Sequence, residues 1–433
     1  MFRSLSGFNY RIWFAGALVS NVGTWMQRTA QDWIVLTELT DNDAVAVGIT
    51  MALQLGPQLL LVPWSGMIAD RFDRRKLLIA TQVVMALLGA ALGIMVVTGV
   101  SELWHVYGFA LALGITSAID APVRQAFVSE LVSEKNLPNA VALNSASFNA
   151  ARLLGPAVAG LLTVAVGAGW VFLINAVTYA ATLASLALLR RSELRVAPRA
   201  PRGPGQLLDG FRYVARRPDI LAVMAVIFIV STFGMNFPIF SSTMASVEFH
   251  HGAGEFGLLS SVLAIGSVTG ALLAARRERP RIRVVVLAAA AFGASCVIAA
   301  VMPTFESFAV SLILVGFTAI TLMTTANGVV QTTTSPVMRG RVMALYLAIF
   351  VGGTPLGAPI VGLVANEFGP RWALGVAAIA GFVAAIVGVV WMMVAKDLRV
   401  RFVRRRFRVV PRGDTRARAE ETLAVDETVA RRA

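Results

Sequence analysis

The sequence predicts an all-α membrane protein: twelve transmembrane helices arranged as two pseudo-symmetric six-helix bundles. Three observations predict it. Apolar residues make up 57% of the 433 residues and charged residues only 14%. The apolar residues fall in blocks of about twenty, the length that crosses a ~30 Å hydrocarbon core as a helix. Part of the first half also recurs, in register, in the second. A soluble chain of this length needs far more charge to cover its surface.

The spans read from these blocks are 12–37, 45–69, 77–100, 104–127, 140–166 and 170–189, then 220–245, 256–275, 284–302, 308–330, 342–364 and 372–394. They divide the chain into an N-terminal bundle (1–189), a central loop (190–219), a C-terminal bundle (220–395) and a basic tail (396–433). The first block lacks a small-residue cleavage site and is longer than a signal peptide's apolar core, so it reads as a retained span. Basic residues gather in the even-numbered loops, from Arg71, Arg74, Arg75 and Lys76 to Arg339 and Arg341. The odd-numbered loops carry acids, such as Glu38, Asp41, Asp43, Glu102, Glu248 and Glu367, with Arg371 their one basic residue. The positive-inside rule then puts the protein in the cell (inner) membrane with both termini in the cytoplasm. Within the central loop, 206–217 places Leu207, Leu208, Phe211 and Val214 on one helical face, the pattern of an interfacial helix. The tail reads as cytoplasmic, and disordered beyond about Arg412.

Several classes of function are excluded. The net charge of +14 sits beside spans rather than on a soluble domain, which argues against nucleic acid as a partner. Cys296 is the one cysteine, and His105, His250 and His251 are scattered, so no disulfide or metal site is expected. The spans hold no nucleophile–base pair, so neither an enzyme nor a cofactor is expected.

A shift of 202 residues superposes Gly155 on Gly357, Gly160 on Gly362, Gly167 on Gly369 and Trp170 on Trp372. Six helices repeated in the same orientation imply two halves about an axis along the membrane normal, with a cavity between them that rocking exposes to each side in turn. Glycines at these positions also let helices pack closely.

The loop after the second span reads Gly66-Met67-Ile68-Ala69-Asp70-Arg71-Phe72-Asp73-Arg74-Arg75-Lys76. It resembles the signature between the second and third helices of the major facilitator superfamily, departing at Asp73, where the family has glycine; aspartate tolerates the left-handed turn a glycine would supply. The resemblance implies a cytoplasmic gate. Asp70 would sit at the positive end of a helix of the other half. Arg71, Arg74 and Arg75 would bind carboxylates or carbonyls, with Asp120, near Arg124 at the inner end of the fourth span, as the acid that one of them reaches; Arg75 and Lys76 serve equally as plain topology signals. In the fifth span, Ala151-Arg152-Leu153-Leu154-Gly155-Pro156-Ala157-Val158-Ala159-Gly160 looks like the superfamily's antiporter motif, with alanine at two glycine positions. The wider pattern, including Thr24 to Arg28 and Asp120 to Gln125, is similar to the drug and siderophore exporter branch.

Five charged residues lie within the spans, all in the first half: Arg28, Asp32, Asp120, Arg124 and Arg152. Each costs roughly 2.5 kcal/mol or more at the bilayer centre unless it faces a partner or water. Arg28 and Asp32 are four residues apart on one helix face, as are Asp120 and Arg124. Arg28, Asp32 and Arg152 are expected to form a polar core in which Asp32 exchanges a proton; the plainer alternative is a fixed Arg28–Asp32 ion pair. Gln54, Gln58, Asn149, Asn175, Phe233, Asn236, Phe237, Asn327 and Gln331 are candidates to line a mostly apolar cavity, although any one amide is more apt to bridge helices than to touch substrate.

These readings lead to a monomeric secondary transporter that exports amphiphilic organic compounds, drugs or a siderophore-like metabolite, in exchange for protons. The expected partners are a small organic substrate, protons and the lipid bilayer. An importer or facilitator on the same fold, and a membrane sensor or scaffold using the basic loop and tail, remain open alternatives.

Overall fold

A computed structural model describes residues 3–61, 64–65, 68, 71–195, 206–275, 280–335, 338–395, 398–403 and 406–411. Among them, ten helices are long and apolar enough to cross a membrane. Two more complete the bundle. In chain order the twelve are α1 (Phe8–Thr37), α2 (Ala44–Leu60), α3 (Arg74–Val97), α4 (Leu103–Leu131), α5 (Leu137–Val166), α6 (Ala168–Leu188), α7 (Pro218–Glu248), α8 (Ala253–Ala275), α9 (Ile282–Ala300), α10 (Phe305–Thr333), α11 (Arg339–Phe368) and α12 (Pro370–Ala395). α1 has the length but carries Arg11, Arg28 and Asp32. α2 spans 17 residues to Leu60, and helical bonding continues beyond it, from the Ser65 N–H to the Leu61 carbonyl and from the Phe72 N–H to the Ile68 carbonyl.

α7 is interrupted where the sequence demands it. Pro218–Ile229 leads into a π turn, Val230–Gly234, and Phe237–Thr243 leads into a second, Met244–Glu248. Pro238 has no N–H to give to the preceding turn, so regular hydrogen bonding lapses there. Asn236 compensates in part by donating its side-chain N–H to the Thr232 carbonyl at 2.8 Å.

The linker helix, Gln206–Ala215, docks on protein through part of its surface: Val214 is buried, the Tyr213 hydroxyl accepts from the Ser335 N–H, and Gly210 abuts Arg341 of α11. Phe211, expected on the same apolar face, is exposed. Arg217 closes this region by a bidentate pair with Asp219, which raises the guanidinium pKa above its usual value. After α12 a two-stranded antiparallel hairpin, β1 (Leu398–Val403) with β2 (Arg406–Pro411), forms in the tail, a pairing the sequence reading did not anticipate. The tail beyond Pro411 lies outside the described residues.

The repeat found in the sequence has a structural counterpart. Gly155 packs on Trp25 and Val22 of α1, and Gly357 packs on Thr232 of α7, so each seats its helix on the first helix of its own half. Gly160 faces Ala253 and Gly257 of α8, and Gly362 faces Ala44 and Val45 of α2, so each seats its helix on the other half. Gly167 and Gly369 end α5 and α11 with φ of 89° and 96°, a backbone that L side chains rarely adopt.

Contacts between halves run along α2–α11 and α5–α8, with α7 also touching α1 and α2. They are closest at the end remote from the chain termini. There a Cβ on Gly48 would lie 2.5 Å from the Ala358 carbonyl, and one on Gly257 would lie 2.5 Å from the Pro156 carbonyl. Polar groups fasten the same end. Asp43 caps α2 by accepting from the Val45 N–H, and Asn366 of α11 both donates to Asp43 at 2.6 Å and accepts from the Ala44 N–H at 2.8 Å. The Ser246 hydroxyl donates to Asn42 across the same seam. Toward the end that carries the termini, Phe148, Asn149 and Gln331 are exposed.

Replacing Asn366 with alanine removes two hydrogen bonds between the halves, each worth about 0.5–1.5 kcal/mol. N366A is expected to raise the labelling rate of an S260C reporter by a membrane-impermeant maleimide, added from the closed side, by about tenfold. Cys296 is fully buried and gives little background. An unchanged rate would show that Asn366 does not hold this end shut.

Candidate functional site

A cavity of about 260 Å³ lies between the halves. Trp25, Arg28, Thr29 and Asp32 enter it from α1, at the i, i+3, i+4, i+7 spacing of a single helix face. Met51, Gln54 and Leu55 of α2 and Arg152 and Pro156 of α5 complete the N-terminal wall. The opposite wall is mostly apolar: Met235, Phe237 and Pro238 at the break in α7, Phe256, Leu263 and Ala264 of α8, Ala319 and Ile320 of α10, and Phe350 of α11. Ser260, Ser267 and Thr354 add its hydroxyls. The charged side chains of the cavity all come from the first half.

These charges are not joined by salt bridges. Arg28 and Asp32 share a face and attract one another without hydrogen-bonding; the Arg28 guanidinium lies 5.4 Å from the centre of the Trp25 ring. The Asp32 Oδ1, the Arg28 Nε and the Gln54 Nε2 are buried without hydrogen-bond partners, and Asp32 is only 5% exposed. Among the described residues Arg152 likewise has no hydrogen-bond or ion-pair partner.

Helix geometry explains this. Side chains lean toward the N-terminus of their helix, so an arginine reaches residues three or four positions before it. Arg28 therefore leans over Trp25 and away from Asp32. In the reverse order, acid first, the pair forms: Arg124 Nε lies 2.9 Å from Asp120 Oδ2 on α4.

The expected gate takes a different form. Asp120 is not the acid that the loop arginines reach. Arg74 pairs with Glu130 at 2.8 Å, at the last turn of α4, while Asp120 lies ten residues deeper, about 15 Å along the helix. Asp120 is satisfied inside the half by the Thr81 hydroxyl at 2.7 Å, the Gln82 amide at 3.0 Å and Arg124. Arg75 donates to the Leu186 carbonyl at 2.8 Å, and Arg71 is exposed. Each of these bonds joins residues of the first half. Asp73, where the family has glycine, sits at φ −62° rather than in a left-handed turn and caps α3 by accepting from the Lys76 N–H. Gly66 and Asp70 lie outside the described residues.

Of the nine cavity candidates, Gln54 and Phe237 line the cavity. Asn175 is buried against α1, where its amide donates to Gln27. Asn236 is spent on the break in α7, and Phe233 packs in the hydrophobic core. Asn149 donates to the Ser145 carbonyl of its own helix, and Gln331 donates to Asn327 at 2.7 Å near the end of α10. Gln58 is half-buried away from the cavity. The antiporter-like motif contributes Pro156 to the lining, while Gly155 and Gly160 serve helix contact. Residues that sequence reasoning missed, such as Trp25, Thr29 and Pro238, had a signal: the helical spacing around Arg28 and the Gly-x-Asn-x-Pro interruption at Gly234.

A profile of a family described as transmembrane secretion effector matches residues 3–406. The chain is 24% identical over 364 residues to the staphyloferrin A transporter of Staphylococcus aureus, covering 83% of this chain and 90% of that protein. It is 25% identical over 390 residues to the enterobactin exporter EntS of Salmonella typhimurium, covering 87% and 89%. Among solved structures, a POT family transporter in complex with 5-aminolevulinic acid shares the fold with a TM-score of 0.72, at 11% identity, over 89% of this chain and 96% of that one. A bacterial homologue of the lysosomal transporter Spinster, in an inward-facing and occupied conformation, does so at 0.69 and 14% identity, over 88% and 96%.

Arg74 and Glu130 are mostly buried, with side-chain exposures of 12% and 19%. A double-mutant cycle of R74A and E130A, read by denaturation in mixed micelles, is expected to give a coupling energy of about 1 kcal/mol. The cycle of R74A with D120A should give about zero, and the opposite ranking would restore Asp120 as the partner.

Proposed function

This chain belongs to the transmembrane secretion effector family of the major facilitator superfamily, and from that premise we propose that it exports an amphiphilic organic compound, siderophore-like in class, by alternating access coupled to protons at Asp32. The observation that carries the reading is the two-sided cavity: one wall holds unpaired charge, the other apolar surface. Such a lining suits a molecule with a polar head and an apolar body better than a sugar, which needs hydrogen bonds on every side. The similarity to a staphyloferrin A transporter and an enterobactin exporter supports the cargo class, and the second of them supports the direction.

The basic residues of the even-numbered loops favour a cytoplasmic location for both termini. In that orientation the closed seam at Asp43 and Asn366 faces outward, and cargo loads from the cytoplasm. Separation of α2 from α11 and of α5 from α8 would open the outer end. The same movement would bring α4 and α10 together at the inner end, carrying Arg74 and Glu130 with it. Asp32 is placed to exchange a proton because it lines the cavity with no hydrogen bond to its buried Oδ1 and with Arg28 near but not salt-bridged to it. Uptake of a proton there changes the cavity's net charge by one, so the two protonation states hold cargo and bias the halves differently.

The test is accumulation of a labelled siderophore-type compound in everted membrane vesicles under an imposed pH gradient. The native protein should concentrate the compound. D32N should lose at least nine-tenths of that accumulation yet retain gradient-free exchange of labelled for unlabelled cargo. Full accumulation by D32N would remove Asp32 from the coupling, and no accumulation by the native protein across a broad panel would count against export.

A further inference from the structure

Two guanidinium groups enter the cavity, and neither forms a salt bridge with a carboxylate of the described residues. Arg152 stands at the middle of the thirty-residue helix α5 with no hydrogen bond or ion pair, and Arg28 lies over the face of Trp25, attracted by Asp32 without a salt bridge to it, with its Nε buried and unsatisfied. Arg124, the other arginine deep in the first half, differs in having a carboxylate: its Nη1 is likewise buried without a partner, but its Nε is bonded to Asp120, which is itself held by Thr81 and Gln82. Leaving a buried charge unpaired is costly, and the cost is offset when the group is kept open for a ligand. One acid against two bases leaves the cavity with net positive charge while Asp32 is ionised.

We propose that the cargo is an organic acid, whose oxyanion is bound by Arg152 together with Arg28 and whose apolar body lies against Phe256, Ile320 and Phe350. The inference rests on the transport reading above and narrows its substrate class. Arginine suits the task because its planar fork gives two parallel N–H donors to a carboxylate or another planar oxyanion and stays charged at any physiological pH. The aromatic and aliphatic wall carries no counter-charge, so an acid oriented the other way would gain nothing there. A cationic amphiphile would meet two like charges and one carboxylate, a net repulsion.

The experiment uses the full chain in nanodiscs of zwitterionic phosphatidylcholine and a pair of fluorescent probes that differ in charge alone, dansylglycine and dansylglycinamide. Dansylglycine should bind saturably, at least tenfold more tightly than the amide. R152Q should weaken the acid tenfold or more and leave the amide unchanged, since loss of a charge-assisted hydrogen bond is felt by the anion only. R152K, which keeps the charge without the fork, should recover part of the loss, and size-exclusion profiles check that each variant is folded. Equal affinities for acid and amide, no saturable binding of the acid, or an R152Q that binds the acid as the native protein does would each overturn the proposal. Exchange of the same probes in proteoliposomes separates the two levels of inference. Binding of the acid without any exchange would sink the transport reading and leave the anion site standing, whereas exchange of the amide in preference to the acid would do the reverse.

Discussion

The hydrocarbon core offers no water, so every charge within it must be matched by protein or by an aqueous space. That single constraint divides the intramembrane charges of this chain into two groups. Asp120 and Arg124 are matched internally, and around them α3 and α4 are joined through Thr81 and Gln82 into a fixed unit. Arg28, Asp32 and Arg152 are left to the cavity. The difference comes down to the order of residues along a helix: acid before base lets the arginine lean onto its partner, and base before acid turns it away. The rest of the structure is arranged to hold this open set of charges between two walls while keeping one end of the gap shut.

The seam that shuts it is built from backbone. Gly48, Gly160, Gly257 and Gly362 bring helices from opposite halves close enough for main chain to touch main chain, and Asn366 lends its amide to the N-terminus of α2. The internal repeat places these contacts. Positions 202 residues apart perform the same task in each half: one glycine seats its helix inward on its own bundle, the next faces the other bundle, and a third turns the chain at the helix end. Duplicated sequence thus yields two seams, α5–α8 and α2–α11. Only the α2–α11 seam carries the Asn366 cap, because the residue in the matching position of α5 is Val164.

Much of this fold was legible in the sequence, since membrane spans are written in hydropathy and every predicted span overlaps an observed helix. The cluster of Arg28, Asp32 and Arg152 was also legible, because charge in an apolar block is conspicuous and residues four apart share a face. What the sequence concealed was direction. Asn175 and Gln54 look alike as amides in apolar helices, yet Asn175 is bound to Gln27 and Gln54 faces the cavity; the rotation of each helix about its axis decides this, and packing sets that rotation. Asp120 was placed at the gate because depth along α4 was read too coarsely: Glu130, at the helix end, is level with the start of α3, where Arg74 emerges. The hairpin of the tail was hidden because Arg-rich, valine-containing stretches carry no turn signal that separates paired strands from solvated chain.

The confinement of unpaired charge to one wall of the cavity has an evolutionary consequence. Ile320 and Phe350 line the apolar wall and make none of the hydrogen bonds that fasten the seam, so a change in their size or shape alters the cavity while leaving those bonds in place. Cargo range can diversify by ordinary hydrophobic substitutions in the second half while the ionic apparatus of the first is inherited intact.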